Sequence, residues 1–515
     1  MNLHPVDLCV IAAYMIGVAL IGAYCSRKNQ TTDEYFLGGR SFSGWIIGLS
    51  MVGAAISSIT FLSMPADAYK STWMLFIPYL MMPVCALLAA YFIVPKFRRA
   101  EITSAYEFLE SRFGPSIRVY GGCAYIVTQI LRLSLVHYLL ALLMHETTGL
   151  DVLTCIIAGG VFVGIYTMMG GIDAVIWTDV IQTTVLMLGS IICLGVIIDA
   201  MPGGLDQIFA IANEHHKLSL GTIVDGKLYP PNWSIDFSTK TTSMLIVTGV
   251  VFFLTEYVTA QHMIQRYCAA RSLAEARKGL LYAVIVAMPT WAFYMFLGTS
   301  LFAFYQYFPT AESTAMLNGV KKAEQIVPYF IINNLPIGLV GIVISAALAA
   351  GMSSLDASIN AVSTVGMVDI YRRHIAKNRD DKHYLRVAKT VSGIASLFMI
   401  LGAIALLELD THTLQSTIIT LTSLAGGGLL GLFLLGLLTD KGDARSVWVG
   451  IAFTLIFTLW TILQQKGLLP ERFSVPFDLY YTSFFANVLM FVTGYGLTLF
   501  WPLKKAGSPV EQYSA

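Results

Sequence analysis

AALAAGMSSLDASINA, residues 346–361, is an apolar stretch rich in small residues that nevertheless carries Ser353, Ser354 and Asp356. Polar groups are costly in a membrane helix and are retained where they line a functional cavity. Hydroxyl and carboxylate oxygens within about one helical turn also form a cage that suits a small hard cation. The stretch therefore predicts a membrane-spanning helix with a cation site, and it favours transport with sodium as the coupling ion.

Apolar segments of membrane-spanning length continue on both sides of this stretch. Of the 515 residues, 56% are hydrophobic and only 12% are charged, whereas a soluble protein carries about 25% charged residues. We therefore predict an all-α polytopic membrane protein, multi-pass in the inner or plasma membrane and surrounded by the lipid bilayer. The first apolar segment has no basic n-region and no small-residue cleavage site, which favours a spanning helix over a signal peptide.

Several other protein classes are disfavoured by the composition. The net charge of +1 gives no electrostatic basis for a nucleic-acid partner. The 7 cysteines lack the paired spacing of a disulfide or metal framework. Motifs of phosphate-binding loops, zinc peptidases and serine hydrolases are absent from the sequence, so we expect a non-enzyme. We expect the chain to function as a monomer that binds a small-molecule substrate.

Hydropathy predicts a single membrane domain over 1–515 with about 13 spans. It consists of an N-terminal helix at 5–26, a first five-helix repeat in 43–200, a second five-helix repeat in 243–438, and two C-terminal helices in 446–503. The individual spans are expected near 5–26, 43–68, 73–95, 116–143, 150–168, 174–200, 243–265, 279–307, 336–369, 385–407, 412–438, 446–464 and 480–503.

The basic residues predict the orientation of these spans. Lys and Arg concentrate in alternate loops, most densely in 96–99, 266–278 and 372–389. Because basic residues accumulate on the cytoplasmic side, the N-terminus is expected outside and the C-terminus in the cytoplasm. The long loops near 201–242 and 308–335 then lie outside, and the first of them could fold into a short lid.

Two spans carry polar, small-residue interruptions. They are GAAISSIT, from Gly53 to Thr60, and TEYVTAQ, from Thr255 to Gln261, in the first helix of each five-helix repeat. Breaks at matching places in two halves indicate a binding site near the membrane midplane of an inverted-repeat transporter. Backbone carbonyls freed at such breaks line a cavity and could coordinate an ion.

The serines of the opening stretch are the first candidates for ion ligands. The hydroxyls of Ser353 and Ser354, with carbonyls near Gly53, Ile56 and Ala350, would supply about five neutral oxygens, a set that suits sodium better than a divalent ion. The alternative is that these serines bond back to the preceding helical turn and serve close helix packing.

Two carboxylates are candidates for a second cation. Asp179 and Asp356 both lie in spans, and Asp179 could instead snorkel to water or complement a helix dipole. If the substrate is a monoanion, a second cation makes transport respond to voltage by about 2.3 kcal/mol per 100 mV. We therefore expect two cations to move with each acidic substrate.

Arg132 is a basic residue inside a span, where a guanidinium needs an anionic partner. It could pair permanently with Glu256 beside the second break, or it could receive a substrate carboxylate through its two-pronged donor fork. Gln261 borders the same break and is a further candidate for contact with substrate. Phe76 and Tyr79 lie one turn apart and could stack on a ring-shaped substrate.

The sequence resembles the sodium/solute symporter family along nearly its whole core. The stretches that carry the resemblance are TTDEYFLGGRSFSGW (31–45), AISSITFLSMPADAY (55–69), ITSAYEFLESRFG (102–114), GGIDAVIWTDVIQ (170–182), QRY (265–267) and SSLDASINAVSTVGMVDIYRR (353–373). The resemblance implies a leucine-transporter-type (LeuT) fold with a 5+5 inverted repeat, and sodium-coupled alternating access.

Within that family the pattern is most similar to the branch of bacterial sialic acid symporters. The resemblance implies a main sodium site at Gly53, Ile56, Ala350, Ser353 and Ser354. It implies a second sodium site at Asp179, Ser353 and two serines, but this chain has Asp356 and Ala357 at the two serine positions. The resemblance also implies substrate contacts, which fall on Ser57, Thr60 and Arg132.

The identity of the substrate remains open at this point. Arg132 favours an acidic sugar such as sialic acid, whereas Tyr79 stands where that branch has a glutamine. The alternatives are a symporter for a neutral sugar or a monocarboxylate and, outside the transporter class, a sensor that binds its ligand without moving it.

Overall fold

The chain folds almost entirely into helices. A computed structural model describes residues 3–27, 30–100, 102–224, 227–239, 241–408, 427–465 and 467–500. In the first part of the chain the helices are α1 (Pro5–Ser26), α2 (Thr32–Leu37), α3 (Gly44–Ala55), α4 (Ser58–Lys70), α5 (Trp73–Arg99), α6 (Tyr106–Phe113), α7 (Pro115–Thr148) and α8 (Val152–Ala200).

The second part begins with a short segment in the loop predicted to lie outside, and it continues as helices. The segment comprises α9 (Gly204–Glu214) and an antiparallel hairpin of β1 (Thr222–Val224) and β2 (Lys227–Tyr229). The helices that follow are α10 (Thr242–Thr259), α11 (Gln261–Ala269), α12 (Leu273–Tyr307), α13 (Ala311–Leu317), α14 (Ile326–Asn334), α15 (Leu339–Ile375), α16 (Asp381–Glu408), α17 (Leu429–Leu438), α18 (Ala444–Gln465) and α19 (Thr482–Phe500).

Ten helices within the described ranges are long and apolar enough to span a membrane, or eleven if α3 and α4 form one bent span. Most of the predicted span 412–438 lies outside the described residues, and α17 is its described end. The prediction of about 13 spans therefore stays a prediction, while the multi-pass helical architecture is confirmed.

Both predicted interruptions are present. Between α3 and α4, Ile56 and Ser57 have extended backbone with ψ of 112° and 174°, and the two helices meet at 61°. Between α10 and α11, Ala260 is extended with ψ of 114°. Extended residues cannot continue the i to i−4 hydrogen bonds, so carbonyls at the end of each first half-helix lose their helical donors.

Helix α8 holds both predicted spans, 150–168 and 174–200, joined at a kink. Its 49 residues are continuous except at Gly171, which has φ of 58° and ψ of −157°. At 1.5 Å per residue the helix would be about 74 Å long, more than twice the roughly 30 Å hydrocarbon thickness. The length is thus that of two spans, and their boundary is a single glycine without an intervening loop.

Contacts between the ends of spans agree with the predicted sides of the membrane. The Asp7 carboxylate, in the first turn of α1, accepts hydrogen bonds from the backbone amides of Gly338 and Gly341 at the start of α15, both at 2.8 Å. Asp381, at the start of α16, accepts one from the Thr32 amide at 2.8 Å. Each contact joins segments that were predicted on the same side. Which side faces the cytoplasm remains a prediction.

Helix α15, which contains the opening stretch, lies at the centre of the molecule. Of its most apolar window 89% is buried, compared with 17% for α1. Small residues bring α8 and α15 close together, since a Cβ added at Gly189 would stand 2.4 Å from the Cβ of Ala346. Close backbone approach through small residues is the usual basis of helix packing in membranes.

Candidate ion and substrate site

The break between α3 and α4 faces Ser354 of the central helix α15. The Ser354 hydroxyl lies 3.2 Å from the Ala54 carbonyl oxygen and 3.4 Å from that of Ile56. These carbonyls belong to the end of a helix, where intrahelical donors run out. Three oxygens thus converge at a buried point, and Ala54 contributes one although the sequence singled out its neighbours. The sequence could have indicated Ala54, because this residue lies in the last helical turn before the predicted break.

Gly53 and Ser353 lie beside this point and connect it to α8. A Cβ added at Gly53 would stand 2.8 Å from both the Ser353 hydroxyl and that of Thr183, and 3.2 Å from the Asp179 carbonyl oxygen. Glycine therefore permits three helices to meet here. Ala350, one turn before Ser354 on α15, is buried as well. The structure brings all five predicted main-site residues into one region, and it adds Thr183.

Asp179 forms a buried ion pair that the sequence did not reveal. Its carboxylate lies 2.7 Å from the Arg266 guanidinium and accepts hydrogen bonds from the hydroxyls of Ser50, at 2.5 Å, and Ser353. Arg266 also donates to the Ser50 hydroxyl and, at 2.6 Å, to the His262 carbonyl. Arg266 therefore compensates the charge of Asp179, and the role of Asp179 in a second sodium site stays a prediction.

Asp356 occupies a different environment. Its Oδ2 accepts hydrogen bonds from the Tyr166 hydroxyl at 2.9 Å and the Thr178 hydroxyl at 3.2 Å. Its Oδ1 has no hydrogen-bond partner among the described residues, and the side chain is fully buried. Asp179 and Asp356 thus have different hydrogen-bond partners, and the second sodium site on this pair stays a prediction.

The second break carries the charged groups of the predicted substrate site. Glu256 Oε1 lies 2.6 Å from His262 Nε2, and His262 Nδ1 lies 3.2 Å from the Tyr125 hydroxyl. Arg132 is half-buried and near enough to interact electrostatically with Glu256 and His262. Within the described part of the chain it has neither a hydrogen bond nor an ion pair within 4 Å. The permanent Arg132–Glu256 pair is therefore not formed.

Gln261 lies at the break but is engaged elsewhere. Its amide oxygen accepts from the Ala105 backbone amide and its amide nitrogen donates to the Thr103 carbonyl, both at 2.8 Å. The side chain is fully buried. The expectation that Gln261 contacts substrate has no support in this geometry, because both of its polar groups anchor the segment before α6.

The remaining predicted substrate residues line the first break and the start of α5. Ser57 lies in the break, buried and without a hydrogen bond from its side chain to the start of α4, and Thr60 lies half-buried in the first turn. Phe76 and Tyr79 are stacked, with ring centroids 6.3 Å apart and planes at 20°. Tyr79 also contacts Trp291 at 4.5 Å between ring centroids, so its ring belongs to an aromatic wall.

Two helices broken at matching places, oxygens that converge at one break, and at the other a guanidinium without an ion-pair partner among the described residues are the features of a secondary active transporter with a 5+5 inverted repeat. The model of the Sodium:solute symporter family matches residues 35–451. The chain belongs to this family. It is accordingly a sodium-coupled symporter in the plasma membrane and not an enzyme.

Curated relatives and a solved structure support the same assignment. The sodium/sialic acid symporter SiaT of Proteus mirabilis is 32% identical over 462 residues, with 89% of this chain and 90% of that protein covered. The sodium/sialic acid symporter NanT of Aliivibrio fischeri is 30% identical, with coverage of 87% and 86%. The outward-open, substrate-bound structure of a Na+-coupled sialic acid symporter matches with a TM-score of 0.84 at 28% identity, covering 97% and 98% of the two chains.

A more distant solved structure extends the likeness of fold. It is a nucleobase-cation-symport-1 family transporter in a closed conformation, with a TM-score of 0.56 at 14% identity, covering 93% of this chain and 97% of that one. At this identity the likeness concerns the fold alone, and it agrees with the predicted leucine-transporter type.

Proposed function

We propose that this symporter imports an acidic sugar of the sialic acid class together with sodium, by alternating access. The observation that carries the proposal is Arg132, a half-buried guanidinium beside the second break that lacks an ion-pair partner within the described residues. A cation at this depth is retained where it binds something, and an arginine fork matches a carboxylate. The sialic acid symporters among the relatives support the same substrate class.

The main sodium ion is proposed to bind between the first break and α15. The carbonyls of Ala54 and Ile56 and the hydroxyl of Ser354 already converge there, and a sodium ion would replace the weak hydroxyl bonds at 3.2 and 3.4 Å. Gly53, Ser353 and Ala350 complete the proposed site. Because the ion would join the broken helix to α15, its binding would favour one arrangement of the two repeats, which is how an ion is coupled to a substrate.

The substrate would lie between the two breaks. Arg132 would hold its carboxylate, Glu256 would limit the room for a second anion by repulsion, and Ser57 and Thr60 would donate to or accept from its hydroxyl groups. The stacked rings of Phe76 and Tyr79 would pack against the sugar ring. This arrangement uses every predicted substrate residue except Gln261.

A monocarboxylate is the second candidate substrate. Tyr79 belongs to an aromatic wall with Phe76 and Trp291, and such a wall suits a less polar acid. Sodium-coupled monocarboxylate transporter 1 of Mus musculus is 28% identical over 479 residues, with 90% of this chain and 75% of that protein covered. Both candidates place a carboxylate on Arg132, and they differ in what Tyr79 contacts.

The test is uptake of labelled sialic acid, a neutral hexose and lactate into proteoliposomes, with an inward gradient of sodium or of choline. We expect sodium-dependent uptake of sialic acid by the wild type. Arg132→Ala should lower it at least a hundredfold, and Arg132→Lys should restore it only in part because lysine lacks the fork. Lys321→Ala, at an exposed site, is the control. Preferential uptake of lactate would favour the second candidate, and uptake of the acid by Arg132→Ala at the wild-type rate would refute the role of Arg132.

The same vesicles test the main sodium site. Ser354→Ala removes one oxygen and should raise the sodium concentration for half-maximal uptake about tenfold, the equivalent of about 1.4 kcal/mol. Ser345→Ala is the matched control, since Ser345 is a buried serine of the same helix whose hydroxyl donates back to the Gly341 carbonyl at 2.8 Å. An equal effect of both substitutions would indicate a packing role and not an ion site.

A further inference from the structure

A short loop on the predicted outer side crosses the junction between α4 and α5. It comprises residues 215–221, between α9 and β1, and we call it the strap. The Ser219 carbonyl accepts a hydrogen bond from the Trp73 amide at 2.9 Å, and the Gly221 carbonyl accepts one from the Thr72 hydroxyl at 2.5 Å. The strap therefore bonds to the residues just after α4, where the chain turns into α5.

Lys217 connects the strap to the end of α4 and to α12. Its side chain is buried, and its ammonium donates to the carbonyls of Tyr69 at 2.7 Å and Ser71 at 3.1 Å. Carbonyls at a helix end lack helical donors and carry partial negative charge, so a cation stabilises them. The ammonium also lies 4.0 Å from the centroid of the Phe302 ring in α12, against which His215 packs with ring centroids 5.2 Å apart. One buried ammonium thus holds three elements together.

Helix α4 leads from this end to the proposed binding site. It begins at Ser58, directly after the first break, and carries Thr60 in its first turn. In inverted-repeat transporters the site is exposed alternately by rocking of one repeat against the other. Helix α4 belongs to the predicted first repeat and α12 to the second. A displacement of α4 relative to α12 therefore has to break a contact of Lys217.

We propose that Lys217 is a positioning residue that holds α4 through the strap, and that its release from the Tyr69 and Ser71 carbonyls limits the rate of transport. The contacts carry this proposal, because they join a half-helix of the binding region to elements of both repeats through a single side chain. The role of Lys217 does not depend on which acid the symporter carries.

The charge of Lys217 makes this release depend on pH. Burial lowers the pKa of Lys217 from 10.5 to about 8, and release into water returns the pKa to its ordinary value. Between these two values the protein binds fewer protons with Lys217 in place than after its release, so a rise in pH favours the state in which α4 is held. The released fraction, and with it the transport rate, should fall about fivefold from pH 8 to pH 9.

Other titratable groups surround Lys217, and the experiment has to separate their effect from that of the lysine. Among the described residues no carboxylate lies within 4 Å of the Lys217 ammonium. The titratable groups on the elements packed around it are Glu214, His215 and His216 on α9 and the strap, Asp67, Tyr69 and Lys70 on α4, and Tyr305 on α12. A pH response of these groups persists in variants of Lys217, whereas the proposed response disappears.

Sodium-driven uptake at two pH values tests the proposal. The initial rate of uptake of labelled sialic acid, or of lactate if the wild type prefers it, is measured in proteoliposomes of the full-length protein with equal pH on both sides. The wild-type rate should fall about fivefold from pH 8 to pH 9. Lys217→Arg keeps its charge over this range and Lys217→Met has none, so both variants should show equal rates. Lys70→Met, at an exposed lysine of α4, is the matched control and should follow the wild type.

Each result decides for or against the role of Lys217. A wild-type rate that is equal at pH 8 and pH 9 would overturn the proposal, as would the wild-type fall in either Lys217→Arg or Lys217→Met. If one of these two variants does not fold, the other decides. Uptake of neither acid would refute the proposed substrate, and exchange of labelled sodium across the same vesicles then carries the pH series with the same expectations.

Discussion

At the scale of single residues, the ion pair of Arg266 and Asp179 offers a prediction about stability. Both side chains are fully buried and 2.7 Å apart, so Arg266→Gln leaves a buried carboxylate without its cation. We expect a loss of about 3–5 kcal/mol in the free energy of unfolding, measured as a fall in the midpoint of thermal unfolding in detergent. Lys321→Gln breaks the exposed pair with Glu312 and should cost at most about 1 kcal/mol. Equal midpoints for both variants would contradict the prediction.

The same ion pair marks a limit of the sequence at this scale. Ser353 and Ser354 stand out in an apolar helix, and the structure places Ser354 at the predicted break. Arg266 follows a span among other basic residues and was therefore assigned to a cytoplasmic loop. Arg266 is buried because the short helix α11, to which it belongs, places its side chain next to Asp179. Sequence spacing gives no information on such a contact, because the partners are far apart in the chain.

At the scale of elements, the glycine that divides α8 is the most constrained position. Gly171 has φ of 58° and ψ of −157°, a combination open essentially to glycine alone. Gly171→Ala should therefore destabilise the protein by about 1–3 kcal/mol, visible as a lower midpoint of thermal unfolding. Gly195→Ala in the same helix has open space around the new methyl group and should stabilise by about 0.5–1 kcal/mol. An unchanged unfolding midpoint in Gly171→Ala would mean that the backbone at this position shifts to a conformation that alanine can adopt.

Elements with a strong apolar signal were predictable, and those without one were not. The spans at 5–26 and 116–143 correspond to α1 and α7, and both breaks were foreseen from small polar residues inside apolar runs. The prediction failed to find α9 and the hairpin at 222–229 in the loop near 201–242, where short elements leave little periodicity. Gly170 and Gly171 indicated the turn between the two arms of α8, and the structure places the kink at Gly171.

At the scale of the whole molecule, side chains at the predicted cytoplasmic end tie the repeats together. Arg118 of α7 bonds Asp369 at the end of α15 and Glu110 of α6, each at 2.6 Å, and Arg373 also pairs with Glu110. Burial alone would raise the pKa of Glu110, but its hydrogen bonds with Arg118 and Arg373 outweigh burial and hold that pKa below its usual value. This network joins α6 and α7 of the first repeat to the end of α15 in the second repeat.

At the opposite end, predicted to lie outside, a buried lysine connects a loop to the end of α4. Its burial gives a prediction about how the free energy of unfolding depends on pH. Lys217, in the loop after α9, donates to the carbonyls of Tyr69 at 2.7 Å and Ser71 at 3.1 Å, and its ammonium lies 4.0 Å from the centroid of the Phe302 ring. Burial without a carboxylate lowers the pKa of Lys217 from 10.5 to about 8. The folded protein therefore binds fewer protons than the unfolded chain between these two values, and its free energy of unfolding should rise with pH across this window.

The gain between pH 8 and pH 10.5 should be about 3 kcal/mol. Below pH 8 the cost of burying the charge is present in full, and above pH 10.5 both states are neutral, so the contribution becomes constant. Thermal unfolding across this range should give a midpoint that rises relative to Lys217→Met, which lacks the titrating group. Lys322→Met, at an exposed site, should follow the wild type. If the unfolding midpoints of the wild type and Lys217→Met change with pH in parallel, the titration of Lys217 does not contribute to stability, and the prediction is wrong.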